Sequence, residues 1–344
     1  MNQSAQLKEE KSAENEQNLH WSDEEEVISS SKPLKLLLRL FSIQPKWLVH
    51  ILIFPVGFFF FLFSKRARTD CYVYQKQLRT FTSGKAPKRI SALKQIISFS
   101  LCVLEKMAGW LGKVKYKNLI VHDDDLQELI NLLEQKKGAV LIGSHLGNIE
   151  LLRSLSSFNR TGVSREVPVT TIMEIKSTAV FNKTIAEINP GASFNVIDPS
   201  DITPETIIFL QEQIEQGGLV VFAADRTSAN VRNRCIRKTF LGKEADFPYG
   251  VFLLASLLKA PTYYVFGLRS KDLTLFPKNH MFVEKSKVSF DCPRNEREGR
   301  INDLCGEFVK ILEKYTVQFP YQFYNFYNFW KLHTDFDAQK SNLK

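Results

Sequence analysis

The second half of the chain alternates short apolar runs with segments of helical periodicity, and this alternation constrains the fold more than any other feature. The apolar runs predict strands, and apolar residues spaced by three or four predict helices between them. Strands are predicted over 138–143, 167–172, 194–197, 219–223 and 262–268, and helices over 126–134, 148–155, 178–188, 204–216 and 249–258. Strand and helix in turn indicate an α/β fold, with a mixed, mainly parallel sheet flanked by helices.

The first part of the chain differs, because it combines an apolar run with an excess of basic residues. Seventeen Lys and Arg against two acidic residues give 27–118 a net charge of +15, whereas 1–26 carry −6 and 119–344 are neutral. The apolar run at 47–63 has basic residues on both sides, and a further helix is predicted over 90–111. This combination is typical of contact with an anionic membrane surface, through either a kinked spanning segment or an interfacial or re-entrant one. A buried core helix is the alternative.

These contrasts divide the chain into four predicted regions. They are a disordered polar tail (1–18), a basic, membrane-associated helical region (19–118), an α/β domain (119–332) and a polar tail (333–344). The five cysteines are scattered without a CxxC pair, which argues against a metal site or a disulfide framework. No zinc-finger or RNA-recognition signature accompanies the basic charge, so we expect no nucleic-acid partner.

The sharpest local pattern is SHLGNIE, from Ser144 to Glu150, between the strand at 138–143 and a helix. In α/β folds, ligands bind at the carboxyl ends of strands. A helix N-terminus keeps His145 neutral and able to accept a proton, and Glu150 could hold one ring nitrogen and leave the other free. Gly147 would let the backbone approach a substrate closely. The alternative is a capping histidine, with Glu150 on a solvated helix face.

A second polar group follows the strand at 219–223. Asp225 and Arg226 come directly after this strand, and a guanidinium can bind phosphate or carboxylate through paired hydrogen bonds. A loop predicted over 227–238 carries four more basic residues: Arg232, Arg234, Arg237 and Lys238. The alternative is a solvated basic loop with one structural Asp–Arg pair. A general base beside an anion site suits attack of a hydroxyl on an ester or thioester carried by a phosphorylated partner.

Together the motifs resemble the lipid A biosynthesis (late-step) acyltransferase family, within the lysophospholipid acyltransferase superfamily. His145 and Glu150 match the family's histidine, four residues, then Asp or Glu. Further matches are HW at 20–21, AADR at 223–226, FLGKEADFPYG at 240–250 and FPYQFYNFYNFW at 319–330, so the resemblance covers residues 20–330. The closing motif looks most like the branch found with bacterial aryl polyene and related lipid pathways.

The resemblance implies a glycerol-3-phosphate acyltransferase-like fold at the bacterial inner membrane, with the catalytic domain on the cytoplasmic side. His145, oriented by Glu150, would deprotonate a hydroxyl of a glycolipid or lipid acceptor, as in lipopolysaccharide synthesis. The hydroxyl would attack an acyl thioester on acyl carrier protein or coenzyme A, without a metal or other cofactor. Arg226, oriented by Asp225, would bind phosphate, and further substrate contacts would come from Asn148, Arg232, Arg234 and Arg237.

Two other functions stay open on the sequence alone. A non-catalytic protein that binds a membrane or an acyl carrier protein would have the same charge pattern. A membrane glycosyltransferase needs a DxD-like metal motif, which Asp123 to Asp125 formally match, although a helix start is the simpler role there. The Phe-rich segment 323–330 is interpreted as core packing, and 247–268 as either an acyl-chain lining or ordinary packing.

Overall fold

The computed structural model describes residues 46–110, 119–121, 124–149, 151, 163–173, 195–227, 234–274 and 278–332. The helices are α1 (Lys46–Phe63), α2 (Lys65–Phe81), α3 (Ala92–Trp110), α4 (Asp124–Glu134), α5 (Pro204–Glu215), α6 (Tyr249–Leu258) and α7 (Arg297–Gln318). The strands are β1 (Leu119–Val121), β2 (Ala139–Gly143), β3 (Val169–Ile172), β4 (Asn195–Ile197), β5 (Leu219–Ala223), β6 (Cys235–Phe240), β7 (Lys243–Pro248), β8 (Thr262–Arg269) and β9 (Asn279–Lys285). Both predicted tails, the helix predicted over 178–188 and most of the one over 148–155 lie outside the described residues.

The main sheet of the described residues has the strand order β1-β9-β8-β2-β5-β3-β4. Neighbouring strands are parallel except β8 and β9, which are antiparallel. The central strands β2 and β5 read AVLIG and LVVFA, and such unbroken apolar runs fit strands that are covered on both faces. The predicted α/β fold, with a mixed and mainly parallel sheet flanked by helices, is therefore confirmed.

Helices cover both faces of this sheet. On one face, Ile142 and Phe222 belong to a core that includes Phe252 of α6 and Phe308 of α7. On the other face, Leu141 and Val221 pack in a second core with α4. Tyr74 and Leu78 of α2 join the first core, so this helix of the basic region shares the apolar core that covers one face of the sheet.

Helix α1 has one packed face and one exposed apolar face. Gly57 lies against α3, where an added Cβ would stand 3.1 Å from Ser100 Oγ. The opposite face exposes large apolar side chains: Ile51, Leu52, Val56, Phe58, Phe59, Phe60, Leu62 and Phe63. In the part of the chain that the structure describes, no helix is both long enough and apolar enough to cross a membrane.

The basic stretch after β5, interpreted from the sequence as a loop over 227–238, is in part a strand. Residues from Cys235 onward form β6, which pairs with β7 in an antiparallel hairpin. Arg237 lies opposite Asp246, and its Nε is 3.0 Å from Asp246 Oδ1. Over 235–238 the interpretation as a loop was wrong, because the cations Arg237 and Lys238 masked the pattern of a hairpin strand, and 228–233 lie outside the described residues.

Candidate active site

The two predicted polar groups meet because β2 and β5 are neighbours in the sheet. Gly143 and Ala223 are register partners, so both strands end at the same edge. The backbone N–H of Ala224 donates to Gly143 O at 2.9 Å, which carries the pairing one residue past the strands. The next residues, His145 and Asp225, therefore lie side by side although 80 positions separate them.

Asp225 holds His145 at two points. His145 Nδ1 lies 2.9 Å from Asp225 Oδ1, and the backbone N–H of His145 donates to Asp225 Oδ2 at 2.8 Å. The Asp225 side chain is fully buried, whereas that of His145 is 29% exposed. The carboxylate thus fixes both the backbone and the ring of His145, and the imidazole keeps access to solvent.

Charge and burial determine the protonation of this pair. Burial opposes ionisation of Asp225, yet His145 and Arg226 together hold the pKa of Asp225 below its ordinary value. Burial lowers the pKa of His145, and Arg226 and Lys106 lower it further, while Asp225 acts in the opposite direction. At neutral pH the ring is therefore uncharged. Since an ionised carboxylate only accepts hydrogen bonds, the ring proton belongs on Nδ1, which leaves Nε2 as an unprotonated base.

A third segment, from the end of the chain, completes the site. Asn325 Nδ2 donates to Asp225 Oδ2 at 2.8 Å, and Asn325 Oδ1 accepts from Arg226 Nε at 2.8 Å. Arg226 Nη2 also donates to the carbonyl of Tyr324 at 3.1 Å, and the Tyr327 hydroxyl donates to the carbonyl of Asp225 at 3.0 Å. The backbone N–H of Tyr324 in turn donates to His145 O at 2.9 Å.

The sequence interpretation of 323–330 as core packing is therefore incomplete. Phe323 and Phe329 do belong to the main core. Of the amide residues between the aromatic ones, Asn325 binds Asp225 and Arg226 next to His145. The signal that could have found them is the alternation of aromatic and amide side chains in YQFYNFYN, since a segment that serves only the core has no need of buried amides.

The glycine of the first motif has a structural reason for its position. Gly147 has a φ of +75°, and a Cβ there would lie 2.3 Å from the carbonyl oxygen of Gly267 on β8. Its N–H donates to Gln322 O at 2.8 Å. The close backbone approach expected at Gly147 is thus an approach to β8 within the protein, and substrate contact there stays a prediction.

Asn148, predicted to contact substrate, is 2% exposed. Within the described part of the chain, neither its amide nitrogen nor its amide oxygen has a hydrogen-bond partner. Leaving a buried amide unpaired costs about 1–3 kcal/mol. An amide of this kind is suited to a ligand, so the predicted substrate contact of Asn148 stands as a prediction.

The other predicted site residues have different positions. Glu150 and Arg232 lie outside the described residues, so their predicted roles are untested. Arg234 is exposed next to β6, and Arg237 forms the hairpin ion pair with Asp246. The structure thus brings together His145, Asp225 and Arg226, and it places Asp225 where the sequence had suggested Glu150, against the histidine ring.

Comparison of the sequence with protein-family models and with curated proteins finds no match. A functional assignment therefore depends on the geometry and the charges of the residues themselves.

Proposed function

We propose that the protein is a membrane-associated O-acyltransferase that moves a fatty acyl group from an acyl thioester to a hydroxyl of a glycolipid or other lipid acceptor. The proposal rests on the two hydrogen bonds that join buried Asp225 to the ring and the backbone N–H of His145. They leave Nε2 of His145 as an unprotonated base whose pKa the cation Arg226 lowers. A fixed neutral imidazole with an ionised carboxylate behind it suits general-base catalysis.

In the proposed reaction His145 Nε2 takes the proton of the acceptor hydroxyl as its oxygen attacks the thioester carbonyl. The new C–O bond forms, the C–S bond breaks, and the departing sulfur takes the proton back from the imidazolium. Asp225 stabilises the transient positive charge on the ring. Arg226 supplies a positive charge suited to a phosphate on either the donor or the acceptor.

We include in the proposal that the donor thioester is carried by acyl carrier protein or coenzyme A, both of which bear a phosphate. We also include a glycerol-3-phosphate acyltransferase-like form of the α/β fold and a place at the bacterial inner membrane, with the site on the cytoplasmic side. These details come from the motifs at 145–150, 223–226, 240–250 and 319–330. Such a protein would act in lipid A, lipopolysaccharide or aryl polyene lipid synthesis.

Contact with the membrane is supported by α1 and α2 together. The exposed face of α1 carries apolar side chains, of which Phe63 is 83% exposed. Exposed cations follow on α2 and in the turn after it, among them Lys65, Lys76 and Lys85. Apolar side chains that enter the lipid beside cations that meet the headgroups are typical of an interfacial helix on an anionic leaflet.

Of the alternatives, the glycosyltransferase gains no observation in its favour. The Asp125 carboxylate accepts the backbone N–H of Lys285 at 2.8 Å, which gives it a structural role at the start of α4. Asp123 lies outside the described residues, and among the residues that the structure describes no three His, Cys, Asp or Glu converge in a way that could hold a metal ion. A non-catalytic binding protein is the other outcome that the experiment below would reveal.

The test is mass spectrometry of lipids from a strain that lacks the gene. We expect one lipid to lose the mass of an acyl chain, and wild-type protein and the His280→Gln variant to restore it. His280 is a matched control, because it lies on β9 and stacks on Phe282. His145→Gln should leave the lipid under-acylated while the protein stays in the membrane fraction. Full restoration by His145→Gln would refute the proposal and favour a binding role.

A further inference from the structure

The amide of Asn325 lies between the two charged residues of the site. It is 2% exposed, donates to Asp225 Oδ2 at 2.8 Å and accepts from Arg226 Nε at 2.8 Å. Both ends of the amide are thus used, one for the carboxylate and one for the guanidinium. Since an amide has one donor end and one acceptor end, this orientation is the one that satisfies both charged neighbours at once.

The two hydrogen bonds of the Asn325 amide restrain both Asp225 and Arg226. The Asp225 carboxylate accepts three hydrogen bonds from the described residues: two from His145 and one from Asn325. Arg226 is directed by Asn325 and by the carbonyl of Tyr324. Without the amide, Asp225 Oδ2 would keep the backbone N–H of His145 as a donor, but Arg226 Nε would lose the Asn325 oxygen as an acceptor. The attraction between opposite charges would then draw the guanidinium toward the carboxylate.

We propose that Asn325 is a positioning residue, which keeps Asp225 available to His145 by holding the Arg226 guanidinium in place through its side-chain amide. Among the residues that the structure describes, the charged and titratable groups around His145 are Asp225 and Arg226 after β5, Lys106 on α3 and Tyr327 next to Asp225. Asn325 itself is uncharged and controls how two of these groups act on the ring. The description of His145 as a base rests on the proposed function, whereas the positioning itself does not.

The same segment offers a matched control three residues further on. Asn328 belongs to the same YNFYNF repeat, is exposed, and uses its Oδ1 to accept the N–H of Trp330 at 3.3 Å. Substitutions at Asn325 and Asn328 therefore change the same residue type in the same segment, but only Asn325 contacts Asp225 and Arg226.

The experiment follows the titration of His145 by NMR in full-length, ¹⁵N-histidine-labelled protein in detergent micelles. The chain has six histidines, and the signal that disappears in His145→Gln assigns the ring. In Asn325→Leu, Arg226 should pair directly with Asp225, so the pKa of His145 should fall by about one pH unit. In Asn325→Asp, the new carboxylate should raise that pKa by about as much. Both Asn328 variants should leave it unchanged.

Opposite shifts at one position distinguish positioning from a merely structural role. If both Asn325 variants move the pKa of His145 in the same direction, or neither moves it, the proposal is overturned. If Asn325→Leu does not fold, Asn325→Asp decides: a rise supports the proposal, and a fall or no change overturns it. The NMR readout needs no acyl transfer, so opposite shifts in a protein that transfers no acyl group would leave the positioning role intact and reject the proposed function.

Discussion

At the scale of single residues, the geometry of the site depends on one carboxylate. Asp225 accepts both the ring and the backbone N–H of His145, so it fixes the tautomer and the orientation of the imidazole together. An amide in its place would still fit, but it could offer only one acceptor oxygen to these two donors. The side-chain NH₂ would then face an N–H, and the ring would be drawn to the opposite tautomer.

We therefore expect Asp225→Asn to lower kcat by about 10²–10⁴-fold, the range associated with a general base. Asp303→Asn is the control, because Asp303 is exposed on α7. The measurement is the initial rate of acyl transfer from a radiolabelled thioester, with thermal unfolding recorded to exclude loss of fold. If Asp225→Asn is as active as Asp303→Asn, the hydrogen bonds from His145 to Asp225 do not contribute to acyl transfer.

The acid limb of the rate profile gives a second prediction at this scale. Burial, Arg226 and Lys106 place the pKa of His145 below its ordinary value of 6.5. Protonated His145 cannot accept a proton, so kcat/KM should be constant above this pKa and fall tenfold per pH unit below it. We expect the limb to lie below pH 6.5 when kcat/KM is measured between pH 5 and 8. An acid limb with its midpoint above pH 6.5 would contradict the conclusion that burial, Arg226 and Lys106 together outweigh Asp225 in setting the pKa of His145.

His145, Asp225 and Arg226 could be chosen from the sequence, because each follows directly after an apolar strand. The contact between His145 and Asp225 could not be predicted from the sequence. The partner suggested for His145 was the nearby Glu150, whereas Asp225 lies 80 residues away and reaches the ring only because β2 and β5 are neighbours. Strand order depends on long-range packing, which local patterns do not record. Asn325, 100 residues beyond Asp225, was missed for the same reason.

At the scale of elements, apolar runs with clear ends were predictable. The strand over 219–223 and the helix over 249–258 match β5 and α6 at both ends, and α5 begins at Pro204 as predicted, with Thr203 as its capping residue. Strands β1, β6, β7 and β9 were not predicted, because β1 has only three residues and charged residues in the other three leave no unbroken apolar run. Helix α7 was not predicted either, although Ile301, Leu304 and Phe308 recur along its buried face.

The exposed face of α1 supports a prediction about membrane binding. Raised salt should release the protein from phosphatidylglycerol vesicles only in part, since salt weakens the attraction of the cations but not the burial of phenylalanines. Replacing Phe59 and Phe63 with serine should make release by salt complete, because each buried ring contributes about 1.5–3 kcal/mol. Co-sedimentation with vesicles measures both effects.

The control for this prediction replaces two exposed apolar residues elsewhere, Ile208 and Phe209 on α5. This variant should behave like wild type at every salt concentration. Complete release of the wild-type protein by salt alone would mean that the face of α1 does not enter lipid.

At the scale of the whole molecule, the C-terminal segment joins the sheet core to the site. The Phe323 ring contacts Tyr74 of α2, Phe240 of β6 and Phe329. Its carbonyl accepts from Gln95 Nε2 of α3 at 2.6 Å, and Gln95 also accepts from Gln75 of α2 at 2.7 Å. One residue of this segment thus contacts helices of the basic region and a strand of the α/β domain.

Phe323→Ala should therefore lower the free energy of unfolding by about 3–5 kcal/mol, as expected for a fully buried phenylalanine. Tyr72→Ala, at a half-exposed position of α2, should change it by no more than about 0.5 kcal/mol. Chemical denaturation followed by circular dichroism measures both values. Equal effects of the two substitutions would mean that the segment does not contribute to the core.

The separation of Asn325 from α1 along the chain also sets an order in time. During synthesis α1 leaves the ribosome roughly 260 residues before Asn325 does, an interval of about 13–50 s at ~5–20 residues per second. The nascent chain can thus present its apolar helix to a lipid surface before the amide that bridges Asp225 and Arg226 exists. The proposed active site would then be complete only after α1 has reached the lipid surface.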